Sequence, residues 1–375
     1  MTIYLIRHCE AEGNITRRAH GHFDGKPTPN GLRQCQALAK RFDGIHLDAV
    51  YASHLTRANV TASYLAAPRG LNVIIDPRFA EIGLGVWEDR SWGEVARDYP
   101  QEWDLFSKEP WNFSIESGES YRQVADRFMA GLREMAATYN HSEVIALVSH
   151  SLALRCAVGR ILDVPFEQPD GLSHCDNTGV TTINVSEDGA LNIEKYACNT
   201  HLGELSTQAK LKRPLLDSHE INRAWAALRF DRAVDDMDTA IKLWHEVDCA
   251  VHRVGGLCPI ETIHEELTTK PSYIARTAEN EPIGIVVINL DKSAAENGAH
   301  ISVLGVTEAQ RGRSVGVQLI GQAMSVARKH GRSKLTLSVT QSNEHALALY
   351  RKMGFIVAYE FEQHGYQKYR MELML

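Results

Sequence analysis

In the 375-residue chain, the first apolar segment, MTIYLI, is followed directly by Arg7 and His8. Alone, such a pair is most simply the end of a strand. Three further side chains with useful chemistry follow apolar segments: Arg57 in YASHLTRA, Glu81 in RFAEIGLG and His150 in EVIALVSH. Ligands of open α/β sheets bind outside the carboxyl ends of the strands. We therefore expect these five side chains to meet in one crevice.

The five side chains match the requirements of phosphoryl transfer. This reaction needs a nucleophile, positive charge on the non-bridging oxygens and an acid for the leaving alcohol. A neutral imidazole attacks phosphorus, and guanidinium groups form bidentate charge-assisted hydrogen bonds to its oxygens. The sequence therefore favours a phosphoryl-binding pocket that requires no metal. The structural alternative for Glu81 is an ion pair with Arg57 or Arg7.

The elements that would position these residues alternate between strands and helices over residues 1–200. The apolar segments TIYLIR, LDAVYAS, NVIIDP and EVIALVSH are separated by helical patterns such as NGLRQCQALAKRF and SYRQVADRFMAGLREMAATY. This alternation predicts a mostly parallel sheet covered on both faces. Asp188-Gly189, between two alternating runs, predicts a closing hairpin.

A second domain is expected after a linker. Residues 201–220 lack periodicity and contain Pro214, which is typical of a linker. Residues 221–375 mix apolar strands such as WAALRFDRAV and PIGIVVINL with helical patterns such as DMDTAIKLWHEVDCAVHRV. We interpret them as a separate α+β module.

Composition limits the class of protein. The chain is 44% hydrophobic and 23% charged, with a net charge of -7, which argues against general binding to nucleic acid or anionic membranes. No apolar run approaches the roughly 20 residues of a membrane span. The seven cysteines contain no C-x-x-C pair, as expected for reduced thiols in a cytoplasmic protein.

Six motifs in the first half resemble, in order, those of the histidine phosphatase superfamily. They are RHCEAEGN at 7–14, PTPNGLRQCQALA at 27–39, SHLTRANVTA at 53–62, EIGLGVWED at 81–89, SGES at 117–120 and VSHS at 148–151. The resemblance covers residues 1–200 and implies the phosphoglycerate mutase-like fold, a three-layer α/β/α domain.

The resemblance also implies a role for each residue of the crevice. His8 would take the phosphoryl group as a phosphohistidine, and Glu81 would protonate the leaving oxygen and later activate water. For the first of these steps, the carboxyl would have to be protonated when substrate is bound. Asn14 would contact phosphate or substrate, although an Asn at this junction is often an N-cap. The phosphoryl oxygens would be bound by three side chains, those of Arg7, Arg57 and His150.

Two positions depart from the family pattern, because Cys9 and Ser151 stand where glycine is usual. Cys9 lacks an adjacent base and is expected to be a small buried side chain rather than a nucleophile. Both changes add bulk, which bears on substrate choice. The aromatic segment 99–113 either stacks on a ring-bearing substrate or packs internally. The absence of a long further insertion favours a phosphatase over a mutase.

A second set of motifs lies near the C-terminus. HISVLGVTEAQRGRSVGVQLIGQAM, residues 300–324, predicts a strand, a tight loop and a helix whose first amides suit an anion such as pyrophosphate. Together with NEHALALYRKMGF, it resembles the GCN5-related N-acetyltransferases (GNAT) over about residues 220–375. The resemblance rests on R-x-x-S-x-G at 311–316 and N-x-x-A-x-x-x-Y at 343–350.

This resemblance implies an α+β GNAT domain at 221–375 that uses acetyl-CoA as co-substrate. The loop amides would bind the pyrophosphate, the backbone of Val306 would pair with the pantetheine arm, and Tyr350 would protonate the departing thiolate. The alternative for Tyr350 is an apolar core position. The implied cofactor-binding residues are Val306, Arg311, Gly312, Arg313, Ser314, Val315, Gly316, Val317 and Asn343.

Two features of this site stay open in the sequence. Ser314 replaces the more common Gly, and its N–H can still donate if the backbone there needs no positive φ. The base that deprotonates the amine is not identified. Glu308, His300 and Glu344 lie near the expected site but are as readily surface charges.

Together the two domains predict a bifunctional enzyme. It would hydrolyse a phosphate monoester and acetylate an amine, on one small phosphorylated, amine-bearing metabolite that is nucleotide-like or a sugar phosphate. Two alternatives stay open: a phosphatase whose GNAT domain only senses acetyl-CoA, and a phosphoglycerate-type mutase. No metal, nucleic acid or membrane partner is expected, and the oligomeric state is not predicted.

Overall fold

A computed structural model describes residues 1–164, 172, 174–208, 227–251 and 258–375. The chain divides into two compact units. The first is Met1–Ala11, Ala19–Glu88 and Tyr99–Leu216, and the second is Glu12–Arg18, Asp89–Asp98 and Asp217–Leu375. Of the predicted linker, residues 209–220 lie outside the described residues, so the proposed boundaries stay a prediction.

The sheet of the first unit has six strands: β1 (Thr2–Arg7), β2 (Ala49–Ala52), β3 (Val73–Ile75), β4 (Val144–Ser149), β5 (Val180–Val185) and β6 (Leu191–Cys198). Their order is β3-β2-β4-β1-β5-β6. The pairs among β1 to β4 are parallel, whereas β5 and β6 are antiparallel additions. The predicted parallel sheet with a closing hairpin is confirmed.

Seven helices are described up to residue 161: α1 (Glu12–Thr16), α2 (Pro29–Arg41), α3 (Thr56–Ala66), α4 (Trp92–Asp98), α5 (Pro100–Lys108), α6 (Tyr121–Thr138) and α7 (Ser151–Ile161). Local chemistry sets several of their starts. Thr28 caps α2 by accepting from the amide of Gly31, and Pro29 occupies its first turn. Ser120 and Gln123 form a capping box at α6.

The core of the first unit fixes the strand ends that matter for chemistry. Val50 and Val148 pack with Leu38 of α2 and Leu65 of α3, all fully buried. Burying side chains from strands and helices in one cluster holds the sheet in a single register. In that register Arg7 pairs with Ser149. The residues that follow β1 and β4 therefore begin side by side.

The second unit contains seven strands: β7 (Arg229–Arg232), β8 (Ser272–Arg276), β9 (Pro282–Asn289), β10 (Gly298–Val306), β11 (Lys334–Thr340), β12 (Ile356–Gln363) and β13 (Tyr366–Met374). They form one sheet in the order β12-β13-β11-β10-β9-β8-β7. Only β10 and β11 run parallel. The later helices are α8 (Met237–Val251), α9 (Ile260–Thr269), α10 (Val315–Lys329) and α11 (Glu344–Met353).

Helices cover both faces of this second sheet. In β9, Val286 and Ile288 pack with α10 and α11, whereas Ile285 and Val287 pack with α8 and α9. Alternate burial on two faces follows from the two-residue period of a strand. The expected α+β module is confirmed. None of the described helices combines the length and apolar composition needed to cross a bilayer.

Candidate active sites

His8 lies directly after β1 and is 4% exposed. Its Nδ1 is 2.6 Å from the carbonyl oxygen of Cys9, which can only accept, so Nδ1 is the ring atom that donates. Burial and the charges of Arg57 and Arg7 hold the pKa of His8 well below its usual 6.5. The imidazole is therefore neutral, and the lone pair on Nε2 is available as a nucleophile.

His150 lies next to His8, with ring centroids 5.0 Å apart. Its Nε2 is 2.6 Å from the hydroxyl oxygen of Ser53, whereas its buried Nδ1 has no hydrogen-bond partner among the described residues. Burial, Arg57 and His8 hold the pKa of His150 well below 6.5. With the Ser53 hydroxyl donating to Nε2, Nδ1 carries a proton that it can donate to a ligand.

Arg57 is a buried cation and Arg7 a half-buried one, and the terminal nitrogens of both are tied to backbone carbonyls. Arg7 Nη1 donates to the carbonyl of Cys175 at 2.7 Å. Arg57 Nη2 donates to the carbonyl of Gly21 at 2.7 Å, and Nη1 to that of Phe23 at 2.9 Å. Burial lowers the pKa of both guanidinium groups, which nevertheless stay charged.

Three buried nitrogens in this crevice have no hydrogen-bond partner in the part of the chain that is described: Nε of Arg7, Nε of Arg57 and Nδ1 of His150. Buried polar groups are normally satisfied, so unmet donors call for a ligand. Two of the three belong to cations. The crevice therefore offers donors for an oxyanion beside a neutral histidine, which is the arrangement that phosphoryl transfer requires.

Glu81 is held by a helix terminus rather than by an arginine. Its Oε1 accepts from the amides of Ala153 at 2.9 Å and Ile82 at 3.2 Å, and its Oε2 from Leu152 at 3.2 Å. Two of these amides belong to the first turn of α7, where backbone N–H groups lack helical partners. No ion pair with an arginine forms within the described residues, so that alternative is wrong. Protonation of Glu81 with substrate bound stays a prediction.

Four residues that position the site were not predicted from the sequence, and two of them hold the segment that bears His8. The Thr61 hydroxyl accepts from the amide of Cys9 at 2.9 Å and donates to the carbonyl of Arg57 at 2.6 Å. Asn177 Nδ2 donates to the carbonyl of His8 at 3.0 Å. Thr61 lies inside the motif at 53–62, but nothing in the sequence marks Asn177.

The other two positioning residues are Ser53, which contacts His150, and Arg127. Arg127 donates to the carbonyls of Ala80 and Glu81, both at 2.8 Å, and pairs with the carboxylate of Glu119. It thereby fixes the backbone of the segment that bears Glu81. Ser53 directly follows β2, a position that could have identified it, whereas Arg127 lies within a regular helical pattern.

The two departures from the family pattern differ in their surroundings. Cys9 is fully buried, with Sγ 3.9 Å from the carbonyl of Arg57, so its predicted role as a small core side chain is confirmed. Ser151 begins α7 and is half-buried, with its hydroxyl 3.4 Å from Nδ1 of His174. Asn14 lies in α1 and is half-buried; its contact with substrate stays a prediction.

The aromatic segment 99–113 packs internally. Phe113 is 1% exposed, and Phe106 contacts Trp87, Phe113 and Tyr121 at ring centroid distances of 5.5, 5.0 and 6.0 Å. Rings engaged with one another are not available to stack on a substrate. The packing interpretation is therefore correct for Phe106 and Phe113. These packed rings therefore give no indication of a ring-bearing substrate.

In the second unit, the loop at 311–314 leads directly into α10. Arg311, Gly312 and Arg313 are exposed, whereas Val315 and Val317 are buried in the core. The side chains of these two valines therefore support the helix, and only their backbone amides are left to bind an anion. The roles of Arg311, Arg313 and Gly316 stay a prediction.

Ser314 adopts a left-handed conformation, with φ of 61°, as does Gly312 with φ of 78°. The expectation that the backbone at position 314 needs no positive φ is therefore wrong. A side chain at positive φ costs energy because Cβ crowds the following carbonyl. The backbone conformation at position 314 is therefore strained for serine, whereas glycine would adopt it freely.

Strands β10 and β11 separate part of the way along. They pair only from Gly298–Ile301 against Lys334–Leu337. On its other side, β10 shifts register between Ile301 and Val303 but stays paired with β9 up to Val306. As far as the structure describes the chain, the stretch 302–306 thus has one backbone edge without a strand partner. An extended amide-bearing ligand such as a pantetheine arm could pair there.

Tyr350 is 8% exposed and lies in the apolar cluster beside Phe355, with ring centroids 5.7 Å apart. Burial raises its pKa to about 12, so the phenol is protonated at neutral pH and can donate. Asn343 caps α11, its Oδ1 accepting from the amide of Ala346 at 3.1 Å. Its cofactor contact stays a prediction.

Among the three candidate bases, His300 is unsuited. Burial and the cations Lys292 and Arg370 lower its pKa to about 3, so it does not take up a proton near neutral pH. Glu308 and Glu344 are exposed, which fits the surface interpretation. No group of three or more His, Cys, Asp or Glu side chains that could hold a metal occurs in the described part.

Replacing Ser314 with glycine should stabilise the second unit by about 0.5–1 kcal/mol, because glycine removes the cost of a side chain at positive φ. Urea denaturation of the full chain measures the change. Ser338→Gly is the matched control, since Ser338 lies within β11 and glycine there should destabilise by about 0.5–1 kcal/mol. Equal shifts for both variants would contradict the strain at position 314.

The buried histidines should make the first unit less stable in acid. His8 and His150 have pKa values well below 6.5 in the folded protein, so only the unfolded chain takes up their protons as pH falls through 6.5. Each then costs about 1.4 kcal/mol per pH unit. Urea denaturation at pH 7.5 and 5.5 tests this. His8→Ala should flatten the dependence, whereas exposed His141→Ala should not.

Comparison with known proteins relates each of the two domains to a protein family. The profile of the histidine phosphatase superfamily (branch 1) matches residues 3–198, and that of the acetyltransferase (GNAT) family matches residues 241–355. Phosphoserine phosphatase 1 of Hydrogenobacter thermophilus is 30% identical over 207 residues, 55% of this chain and 97% of the relative. A probable phosphoglycerate mutase GpmB of Proteus mirabilis is 35% identical over 174 residues, 44% of this chain and 76% of the relative.

A solved structure agrees with the first match. YhfR of Bacillus stearothermophilus superimposes with a TM-score of 0.52 and 28% identity, covering 53% of this chain and 98% of its own. The superfamily profile spans more than half of the chain and includes all five residues of the crevice. The chain belongs to the histidine phosphatase superfamily and continues into a domain of the GNAT acetyltransferase family.

Proposed function

We propose that this protein is a bifunctional enzyme that hydrolyses a phosphate monoester and transfers an acetyl group from acetyl-CoA to an amine. Both reactions would act on one small phosphorylated, amine-bearing metabolite. A single chain that holds two sites raises the effective concentration of one site's product at the other.

The observation that supports hydrolysis most strongly is the set of three unsatisfied buried donors beside His8. In the proposed reaction, Nε2 of His8 attacks phosphorus, and the bond to the alcohol oxygen breaks as Glu81 gives that oxygen a proton. Water then attacks the phosphohistidine, Glu81 takes its proton, and the P–N bond breaks. Arg7, Arg57 and His150 stabilise the charge on the non-bridging oxygens.

Acetyl transfer is supported by the open edge of β10 and by the protonated phenol of Tyr350. The amine nitrogen attacks the thioester carbonyl, the C–S bond breaks, and the thiolate takes the proton of Tyr350. The nitrogen releases its proton to water or to a base that is not identified. A domain that only senses acetyl-CoA needs no acid at this position.

A mutase is the second candidate, since one relative is a probable phosphoglycerate mutase. It would return the phosphoryl group to an organic acceptor, whereas a phosphatase releases it to water. Assay of inorganic phosphate separates the two reactions. Stoichiometric phosphate from a monoester supports the phosphatase, and isomerised phosphoester without phosphate release supports the mutase.

Phosphate release should not depend on a metal ion. The two guanidinium groups and His150 supply the positive charge and the donors that a metal would otherwise provide. We expect the rate with an aryl phosphate to be unchanged after dialysis against EDTA, measured by release of the phenol. A loss of activity that magnesium restores would count against the pocket as described.

The shared substrate is tested by incubating the enzyme with acetyl-CoA and a metabolite extract, followed by mass spectrometry. The true substrate should gain an acetyl group, about 42 mass units, and lose its phosphate, as expected for two sites that serve one compound. Free CoA formed with a panel of amines tests the acetyltransferase alone. If the compounds that one site converts are never converted by the other site, the shared-substrate proposal is wrong.

A further inference from the structure

A cluster of basic side chains lies in the second unit, away from the loop at 311–314. Nδ1 of His300 is 2.6 Å from Nη1 of Arg370, and Nε2 is 3.0 Å from Nζ of Lys292. Arg370 also donates to the hydroxyl of Ser293, and the hydroxyl of Thr336 is 3.1 Å from Nδ1 of His300. We call Lys292, Ser293, His300, Thr336 and Arg370 the basic cluster.

The cluster has buried positive charge without a counterion. Arg370 is 9% exposed and His300 2%, yet no carboxylate lies within ion-pair distance of Arg370 or Lys292 among the described residues. The neighbouring acids are engaged elsewhere, since Glu266 pairs with Lys270 and Glu372 with Lys334. A buried guanidinium without a counterion is costly, so the cluster is suited to an anion.

The contacts of His300 also indicate an anion site, because a hydrogen-bond donor faces each of its two ring nitrogens. A guanidinium and an ammonium group can only donate, and one of them faces each ring nitrogen. A neutral imidazole has one lone pair, so one of these two contacts sets a donor against a donor. Burial and the neighbouring cations, Arg370 first, also lower the pKa of Lys292. An acceptor bound between these groups would remove the conflict.

The place of the cluster in the sheet connects it to acetyl transfer. Ala299, Ile301, Leu335 and Leu337 pack in the core with α10 and α11. His300 and Thr336 alternate with them and so lie on the opposite face. His300 also directly precedes Ile301, the last residue of β10 that pairs with β11. The cluster thus borders the point where the two strands separate, and it is open to solvent at Lys292, which is exposed.

We propose that the basic cluster binds the phosphate of the acetyl acceptor while its amine reaches the thioester. This inference rests on the proposed acetyl transfer. Lys292 and Arg370 supply two positive charges, which match a phosphate monoester dianion better than the single charge of a carboxylate. The hydroxyls of Ser293 and Thr336, 3.0 Å apart, lie beside these cations and can rotate to donate to a tetrahedral group with several acceptor oxygens.

A consequence concerns the order of the two reactions. If the acetyltransferase recognises the phosphate of its acceptor, acetylation takes place before the phosphate is removed. The phosphatase then acts on an N-acetylated phosphate ester, and the product leaves as an N-acetylated alcohol. The reaction that supplies this substrate must therefore yield an amine that already carries a phosphate ester.

Binding of the anion is tested first, without acetyl transfer. Crystals of the full chain are soaked in tungstate, a tetrahedral dianion with a strong anomalous signal. We expect one site beside Arg7 and His8 and a second within hydrogen-bond distance of Arg370 and Lys292. The first site shows that the probe entered the crystal. Occupancy of the first site alone would overturn the proposal whether or not the enzyme acetylates anything.

Recognition during acetylation is tested with paired acceptors in the His8→Ala background, which keeps the phosphate on the probe. Ethanolamine phosphate is compared with ethanolamine, and β-alanine represents a carboxylate. We expect kcat/KM to be at least about tenfold higher for the phosphate. Arg370→Met should abolish that preference, because kcat/KM for ethanolamine phosphate should fall to the value for ethanolamine. Exposed Lys292→Gln, which does not disturb the core, should reduce the preference.

The matched control is Lys329→Met, which removes an exposed positive charge from the last turn of α10. It should leave the preference intact. Equal rates with ethanolamine phosphate and ethanolamine, or a preference for β-alanine, would overturn the proposal. Lack of acetylation of every amine, together with tungstate bound at the basic cluster, would instead count against acetyl transfer itself.

Discussion

Alanine in place of His8 should reduce phosphate release from an aryl phosphate by roughly 10³-fold or more, because the other described side chains of the crevice are not available to accept the phosphoryl group. Nε2 of His150 faces the hydroxyl of Ser53. Glu81 is occupied by three backbone amides, and Cys9 is fully buried with its thiol against a carbonyl. Initial rates measured over a range of substrate concentrations test this, and the loss should appear in kcat. Binding of acetyl-CoA should be unchanged.

The control for this variant is His141→Ala, which removes an exposed imidazole just before β4. It should retain full activity. A second readout follows the intermediate itself: after a rapid acid-free quench, labelled phosphate from the substrate should be bound to the wild-type chain and absent from His8→Ala. Wild-type rates in His8→Ala would mean that another group is the nucleophile.

Phenylalanine in place of Tyr350 should lower kcat for acetyl transfer by about 10²-fold, the size expected when a positioned general acid is lost. The ring stays, so its contact with Phe355 and its place in the apolar cluster are kept. The dissociation constant of acetyl-CoA should therefore change little. CoA release followed with a thiol reagent, and calorimetry for binding, separate the two effects.

Tyr359→Phe is the corresponding control, because Tyr359 is 56% exposed on β12 and makes no proposed contact with the cofactor. Its rate should equal that of the wild type. Phosphate release should persist in Tyr350→Phe, since His8 and Tyr350 lie in separate units. Unchanged acetylation in Tyr350→Phe would assign Tyr350 to the core alone and transfer the acid role to another group or to water.

The elements of the fold were largely predictable because each has a local sequence signal. The alternation of TIYLIR and EVIALVSH with helical patterns predicted β1 and β4, and their parallel pairing placed His8 and His150 together. The separation of β10 from β11 was not predicted. It depends on where the hydrogen bonding between the two strands ends. That end is a property of both strands together and cannot be predicted from the sequence of either one.

The contacts that position the site were harder to predict than the side chains that do the chemistry. Thr61 and Arg127 act through backbone groups of residues distant in sequence. Such contacts can use any donor of suitable reach, so they impose no motif. The prediction for φ at position 314 was wrong for a different reason, since this angle is set by the tight turn into α10 rather than by the conformational preference of serine.

The burial of Cys9 bears on how the phosphatase responds to oxidative stress. Peroxide reacts with exposed thiolates, and phosphatases that use a cysteine nucleophile are open to that damage. Here the proposed nucleophile is an imidazole, and the thiol beside it is fully enclosed. Hydrolysis by this enzyme should therefore continue at peroxide concentrations that inactivate thiol-dependent phosphatases in the same cell.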